Sequence, residues 1–316
     1  MMDLSIILVS YNTKDLTLKC LESLFCSLDK KIAFEAIVID NNSTDGSPDA
    51  LRDFEARMDN VRFIASESNN GFAKANNQGV RLAQGRFILL LNPDTYLIDD
   101  SCINAMHYLD DHPTVFGCGC TLLNADCSTG ISYGKFPEFW TIFSEILTGR
   151  FGLLRCIVPK KINAIYSIDF PCGAFFMIKR ELFNALGGFD ERFFMYCEET
   201  DLAKRAWKSG FRIVHYGPAK AVHLRGQSSN QNTHQVSKNT VDLKSVLYQS
   251  WYFYLQKHCS KMEIFLIKFL LVVYYNAMLL FFSCKKNNVA RTQNLVEKKA
   301  LQENWKKNAF FIKDAQ

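Results

Sequence analysis

Four short apolar runs, each ending abruptly in a polar loop, constrain this chain more than any other feature. SIILVS (5–10) leads into SYNTKD, FEAIVID (34–40) into DNNSTDGS, VRFIAS (61–66) into SESNNGFAKANN, and RFILLL (86–91) into NPDT. The runs are aliphatic and rich in β-branched residues, the composition of buried strands. Between the first two, Leu16, Leu18, Leu21, Leu24 and Phe25 recur at helical spacing, and a helix-compatible stretch from Phe72 to Ala83 separates the last two. Strands alternating with helices predict an α/β fold with a mostly parallel sheet covered on both faces. Ligands of such sheets sit at the carboxyl ends of the strands, where this sequence puts its polar residues. Asn, Ser and Gly also make turns with no further role, but that accounts poorly for all four loops together.

After Asp110 the rhythm loosens. Residues 124–170 mix aromatics, glycines and prolines without clear periodicity, as expected of a variable acceptor-facing region or a long irregular connection. Order returns in 170–223, which reads as a strand, a short helix, a Gly-Gly turn, an acidic helix start and a further strand. The chain of 316 residues, 48% hydrophobic, is long enough for a large core and one or two domains.

Charge divides it. Residues 241–316 hold 12 Lys/Arg against 5 Asp/Glu, a net of 12 − 5 = +7, leaving 37 − 12 = 25 basic and 32 − 5 = 27 acidic residues before them. The expected organisation is an α/β domain over 1–240 and a basic, aromatic-rich helical extension over 241–316. Within the extension, residues 264–284 contain a single charge, Lys268, and are followed by Lys285 and Lys286. Three readings stay open: a membrane span, at odds with Lys268 and Asn276 in lipid; a helix on the membrane surface, its basic flank drawn to anionic lipid; and a buried helix or homodimer contact. Eleven cysteines, an odd number without a CxxC pair, read as reduced thiols in a cytosolic compartment. The opening MMDLSIILVS has no basic n-region or cleavage site and reads as a first strand.

Two dense polar spots carry chemistry. Asp94 follows a proline and comes two residues after Asn92, at the end of a rigid strand. A carboxylate presented there can hold a hard cation, and Mg2+ or Mn2+ usually takes one or two protein carboxylates plus phosphate oxygens; it can equally cap the next helix. Asp40, at the end of the second run, can accept hydrogen bonds from a base or ribose. Asn70, Gly71 and Lys74 lie where backbone amides near a helix start favour an anionic phosphate. In YCEETDLAKR, Glu198, Glu199 and Asp201 crowd one helix start. The helix dipole favours acids there, and their repulsion can raise one pKa and prepare a general base. His223 follows the next strand, where an imidazole can complete a metal site, touch a phosphate or be purely structural.

The ordered set SIILVSYN, VIDNNSTDGS, NNGFAKANNQG, LLLNPDT, CGAFFMIKR, GGFDERFFMYCEETDLAKR and VH resembles the family 2 glycosyltransferases of the GT-A fold, especially their bacterial rhamnosyltransferase-like branch, over about residues 3–230. The resemblance implies a Rossmann-like GT-A domain and inverting transfer from a nucleotide-diphosphate sugar to a glycan or lipid-linked acceptor, with Mg2+ or Mn2+. dTDP-rhamnose is the favoured donor, with a UDP-hexose next. By the resemblance, Ser10, Tyr11 and Asp40 hold the nucleotide, joined by Asn70, Gly71, Lys74 and Asn92. Asp94 holds the metal bridging the diphosphate, His223 assists it, and Glu199 is the acceptor-activating base. The family's DxD appears here as Asn92-Pro93-Asp94, with an amide oxygen in place of one carboxylate. The base position carries Glu rather than Asp, leaving Glu198 and Asp201 as alternatives. The expected location is the cytoplasmic face of the membrane, building a cell-surface glycan.

Rival classes are weaker. A non-catalytic nucleotide-sugar-binding scaffold would suit the altered DxD but not the acidic cluster. A nicotinamide-dependent oxidoreductase lacks GxGxxG after the first strand. Nucleic acid is not expected as a partner, because the basic tail has no recognition motif.

Overall fold

The computed structural model describes residues 2–149, 151–153, 155–224, 243–284, 295, 297–299, 301–303 and 305. The chain groups into two compact units, Met1–Lys135 with Cys156–Thr240, and Phe136–Arg155 with Val241–Gln316.

The first unit is built on β1 (Leu4–Ser10), α1 (Lys14–Leu28), β2 (Phe34–Asp40), α2 (Ser47–Glu55), β3 (Val61–Ala65), α3 (Phe72–Leu82) and β4 (Phe87–Leu91). β1 and β4 are buried along their whole length, which is why their sequences read as unbroken apolar runs rather than alternating ones. β1 pairs in parallel with both β2 and β4, and β2 with β3, so the sheet order 3-2-1-4 reverses direction at β1. A crevice opens at such a reversal. α1 buries Leu16 and lays Cys20, Leu21, Leu24 and Leu28 on the sheet, joining a core with Ile6, Leu8, Val38, Leu89 and Met177. Full burial of such side chains contributes about 1.5–3 kcal/mol each.

The second half of the sheet is mixed. β5 (Thr95–Leu97), α4 (Ser101–Asp111) and β6 (Val115–Leu123) precede β7 (Tyr133–Lys135). After the second unit's first segment come β8 (Arg155–Ile157), β9 (Ile165–Ile168), β10 (Phe170–Pro171), β11 (Phe175–Lys179), α6 (Arg180–Ala185), α7 (Glu198–Lys208) and β12 (Arg212–His223). The nine-stranded order is β3-β2-β1-β4-β11-β6-β12-β5, with β9 also on β12. β11 inserts antiparallel between β4 and β6, and β12 runs parallel to β6 and antiparallel to β5 and β9. A small sheet has the order β10-β7-β8.

The stretch 124–170, which shows no periodicity, therefore holds β7, β8 and β9. Strands of three or four residues are too short to express a period of two. It also contributes α5 (Phe139–Leu147) to the second unit, alongside α8 (Leu243–His258) and α9 (Lys261–Cys284). α9 is long and apolar enough to cross a membrane by length and composition.

Candidate active site

The loops at the carboxyl ends of β1, β2 and β4 are fastened to their neighbours by hydrogen bonds in two sets. Asn41 N donates to Ser10 O at 2.8 Å, joining the ends of β2 and β1. Asn12, in the left-handed region at φ 53°, accepts from Thr44 N at 2.7 Å through Oδ1. Asn41 Nδ2 reaches Gly71 O at 3.1 Å, and Phe72 N donates to Phe194 O at 2.6 Å, joining the start of α3 to the loop before α7. On the other side, Asn92 N donates to Ala174 O at 3.2 Å, and Leu224 N donates to Asp94 O at 3.0 Å. Residues far apart in sequence are thus fastened by backbone groups, the least adaptable partners available.

Ser10 is buried, its hydroxyl sharing a hydrogen bond with Thr13 at 3.1 Å. Tyr11 projects from the loop, 40% exposed. Asp40 is buried, and both its oxygens serve its own loop. Ser43 N donates to Oδ2 at 2.8 Å and Ser43 Oγ to Oδ1 at 2.5 Å, while Asn12 N donates back to Ser43 Oγ at 2.8 Å. The carboxylate therefore shapes the β1 and β2 loops. Asn70 bonds within its own turn to Ser68 O at 3.3 Å. Gly71 sits at φ 79°, where a Cβ would collide with the Phe194 carbonyl oxygen. Lys74 is exposed on α3.

Asp94 lies between β4 and β5, fully buried. Its Oδ1 is 3.3 Å from Nε2 of His223, which pairs in register with Thr95 at the other end of the β5–β12 ladder. Nδ1 of His223 is buried with no hydrogen-bond partner among the described residues. Cys20 lies alongside, its Sγ 3.8 Å from Asn92 O; burial first, then the Asp94 charge, pushes its thiol far above the usual range. The same negative charge contributes, after burial and Cys20, to the raised pKa of Tyr96. No group of three or more His, Cys, Asp or Glu side chains able to hold a metal occurs among the described residues. One carboxylate and one imidazole at a strand end nevertheless match a cation that completes its shell with phosphate oxygens, and the unpartnered His223 nitrogen belongs to that pair. The residues fit a divalent cation bound together with a diphosphate.

Glu198 and Glu199 open α7. Two consecutive left-handed residues, Tyr196 (φ 70°) and Cys197 (φ 66°), precede them, a conformation that costs non-glycine residues about 1–3 kcal/mol each and marks sites where geometry is held for a purpose. Glu199 is partly exposed and faces Gly173, where a Cβ would stand 4.0 Å from its Cδ and Oε1. Gly173 adjoins Ala174, whose carbonyl accepts from Asn92 N, so one hydrogen bond and one peptide bond lead from the Asp94 loop to the glycine that Glu199 approaches. Burial raises both carboxyls. Glu198, also facing the Glu199 charge, is held well above its ordinary range, and Glu199 rises to about 7. Glu198 donates its proton to Glu199, which is thereby favoured as the ionised partner. Oε2 of each finds no partner among the described residues.

Asp201, third of the acids, has a different task. Its Oδ2 accepts from Arg205 Nε at 2.9 Å, while the other arms of that guanidinium donate to Leu186 O and Gly188 O, each at 2.6 Å. This clamp fastens the Gly187-Gly188 turn to α7. Neither Arg205 nor Gly173 is singled out by sequence reasoning. The i,i+4 spacing of Asp201 and Arg205 was the available signal for the first; nothing local marks the second.

Comparisons with known proteins bear on the family and the fold. The family model described as Glycosyl transferase family 2 matches residues 5–187. The rhamnosyltransferase WbbL of Escherichia coli (strain K12) is 30% identical over 230 residues, 69% of this chain and 82% of that protein. The N-acetylglucosaminyl-diphospho-decaprenol L-rhamnosyltransferase of Mycobacterium tuberculosis is 24% identical over 251 residues, 72% of this chain and 78% of that protein. Among solved structures, the mannosyltransferase PcManGT from Pyrobaculum calidifontis, in complex with GDP-Man and Mn2+, superposes with a TM-score of 0.59 at 17% identity, covering 99% of this chain and 88% of that one. At that identity the likeness speaks for the fold, and the fold is the GT-A arrangement expected from the sequence.

Proposed function

Because the chain belongs to glycosyl transferase family 2, we propose that it is an inverting hexosyltransferase that moves a sugar from a nucleotide diphosphate to a hydroxyl of a growing, lipid-linked cell-surface glycan at the cytoplasmic face of the membrane. The observation that carries this reading is the Asp94–His223 pair at the end of β4, whose loop is hydrogen-bonded to Ala174, next to the Gly173 that Glu199 approaches. The names of the two relatives support a rhamnosyl donor, read here as dTDP-rhamnose with a UDP-hexose as the second choice, and the decaprenol in one of them supports a lipid-linked acceptor.

The chain's residues divide the work. Ser10, Tyr11 and the loop organised by Asp40 hold the nucleotide, and the amides at the start of α3 face its phosphates. Asp94 and His223 are the residues that would hold Mg2+ or Mn2+, whose Lewis acidity stabilises a departing diphosphate. Glu199, ionised with Glu198 donating to it, takes the proton of the acceptor hydroxyl. The acceptor oxygen bonds the anomeric carbon as the bond from that carbon to the diphosphate oxygen breaks, through an oxocarbenium-like state. Attack opposite the leaving group inverts the anomeric centre.

The test is a panel of nucleotide sugars with purified protein, Mg2+ or Mn2+ and a lipid-linked acceptor, following nucleotide release and the product's anomeric configuration by NMR. Acceptor-dependent release with inversion is expected. Folded Asp94→Ala and Glu199→Gln proteins that both transferred at near wild-type rates would sink the assignment, and donor binding without any transfer would favour a scaffold.

A further inference from the structure

We infer that α9 lies along an anionic membrane surface with one long face in the lipid and does not cross the bilayer. This deepens the lipid-linked-acceptor reading and rests on it.

The helix sorts its residues sharply. At about 100° per residue, Met262, Phe265, Leu266, Phe269, Val273 and Leu280 fall on one side, and all are exposed, Met262, Phe265, Phe269 and Leu280 by 62–69%. The stripe runs about 27 Å at 1.5 Å per residue, interrupted by exposed Asn276 between Val273 and Leu280, and is too long for scattered surface apolars. On the opposite side, Ile267, Leu271 and Tyr275 are buried at 0%, 0% and 3% exposure.

The polar residues that make a span costly are engaged with the protein. Lys268 Nζ donates to Tyr252 Oη of α8 at 3.0 Å and stands over the Tyr252 and Trp305 rings at 4.7 and 5.4 Å. Tyr275 Oη donates to Glu297 at 3.2 Å, and Lys298 Nζ donates to Asn276 Oδ1 at 2.6 Å. A transverse α9 would carry Lys268 and Glu297 into hydrocarbon together with packed α8, whose own sequence includes Lys244, Lys257 and His258; intramembrane charge is expensive. Lying in the plane, the helix immerses the stripe and keeps Lys268 and Glu297 on the protein side; Asn276 lies on the stripe, its Oδ1 bonded to Lys298.

Charge selects lipid over a second copy. Residues 241–316 carry a net +7 in the sequence; such charge attracts anionic headgroups by about 1 kcal/mol per basic residue near the surface and disfavours pairing of two copies of the extension. α5, packed on α9 in the same unit, exposes Trp140, a residue type favoured at headgroup level.

The experiment is co-sedimentation of the full chain with phosphatidylcholine vesicles, with and without phosphatidylglycerol, followed by extraction in alkaline carbonate. Binding that strengthens with phosphatidylglycerol and is released by carbonate is expected. The variant Phe265→Glu/Phe269→Glu/Val273→Glu, or the milder Phe265→Ser/Phe269→Ser should the first misfold, is expected to lose binding at least about tenfold while still consuming donor with a soluble acceptor. Carbonate-resistant pelleting, absence of vesicle binding, or a lipid-independent dimer abolished by the same variants would each overturn the inference. A wild-type protein that binds vesicles as described but consumes no donor would overturn the catalytic reading and leave the orientation of α9 supported.

Discussion

His223 and Asp94 meet at 3.3 Å, Nε2 to Oδ1, although one ends β12 and the other follows β4. β5 makes the meeting possible, because its first residue, Thr95, pairs with His223 and so sets imidazole and carboxylate side by side. If this pair holds the cation, Asp94→Ala is expected to lower kcat/KM by roughly 10²–10³, the loss of several kcal/mol of charge stabilisation, and His223→Gln by roughly 10–100-fold. EDTA should abolish transfer and added Mn2+ or Mg2+ restore it in the wild type, with a higher metal requirement in His223→Gln. Steady-state kinetics against metal concentration checks this. Unchanged metal dependence in both variants would remove the pair from the site.

Glu199 gives a pH prediction. Its carboxyl is raised from an ordinary 4.5 to about 7, burial being the main cause. A base works ionised, so kcat/KM should climb with pH and level off above about 7. Glu198→Ala removes the proton donor that favours ionised Glu199, and should move this limb to higher pH, whereas Glu198→Gln keeps a donor and should leave it nearly in place. Stability runs the other way. The folded state retains a proton that the unfolded chain releases near 4.5, so this group's favourable contribution is complete below that value and is lost as pH rises through about 7. Glu199→Gln should therefore be inactive yet gain stability relative to wild type at pH 8, as read by urea denaturation.

Asp201 should behave differently from its neighbours. Its ion pair with Arg205 is largely buried, and the same guanidinium holds the carbonyls of Leu186 and Gly188. Truncating one member of such a pair leaves the other charge uncompensated, at a cost of about 3–5 kcal/mol. Asp201→Ala should lower the denaturation midpoint by a matching amount, while the part that stays folded keeps the wild-type pH profile. A shifted profile in a stable Asp201→Ala protein would return Asp201 to the list of bases.

What was readable from the sequence follows from how each element is buried. β1, β2 and β4 are enclosed on both faces, so their apolar runs coincide with the observed strands to within one residue. α7 announced itself through Glu198, Glu199 and Asp201, because acids gather where the helix dipole favours them. Long-range pairing left no such trace. The insertion of β11 between β4 and β6 depends on backbone register, and the approach of Glu199 to Gly173 depends on where the chain brings α7. Asp40 illustrates a subtler limit. Its place at a strand end was legible, but the engagement of both its oxygens by Ser43 could be seen only once the loop was folded.

Gly71 tests whether the loops around the start of α3 act as one body. Its φ of 79° lies where L side chains are rarely found, and a Cβ would meet the carbonyl oxygen and ring of Phe194. That carbonyl accepts from Phe72 N, and Gly71 O itself accepts from Asn41. Gly71→Ala must therefore displace either the start of α3 or the loop leading to α7, and the second carries Tyr196 and Cys197, whose left-handed backbone aims Glu198 and Glu199. Backbone strain alone should cost roughly 1–3 kcal/mol of stability. If the loops are coupled, donor KM should rise and kcat fall together, because nucleotide contacts and the base move with the same hinge. A rise in KM with kcat intact would mean that the α3 amides serve the donor alone and that the base is held independently of them.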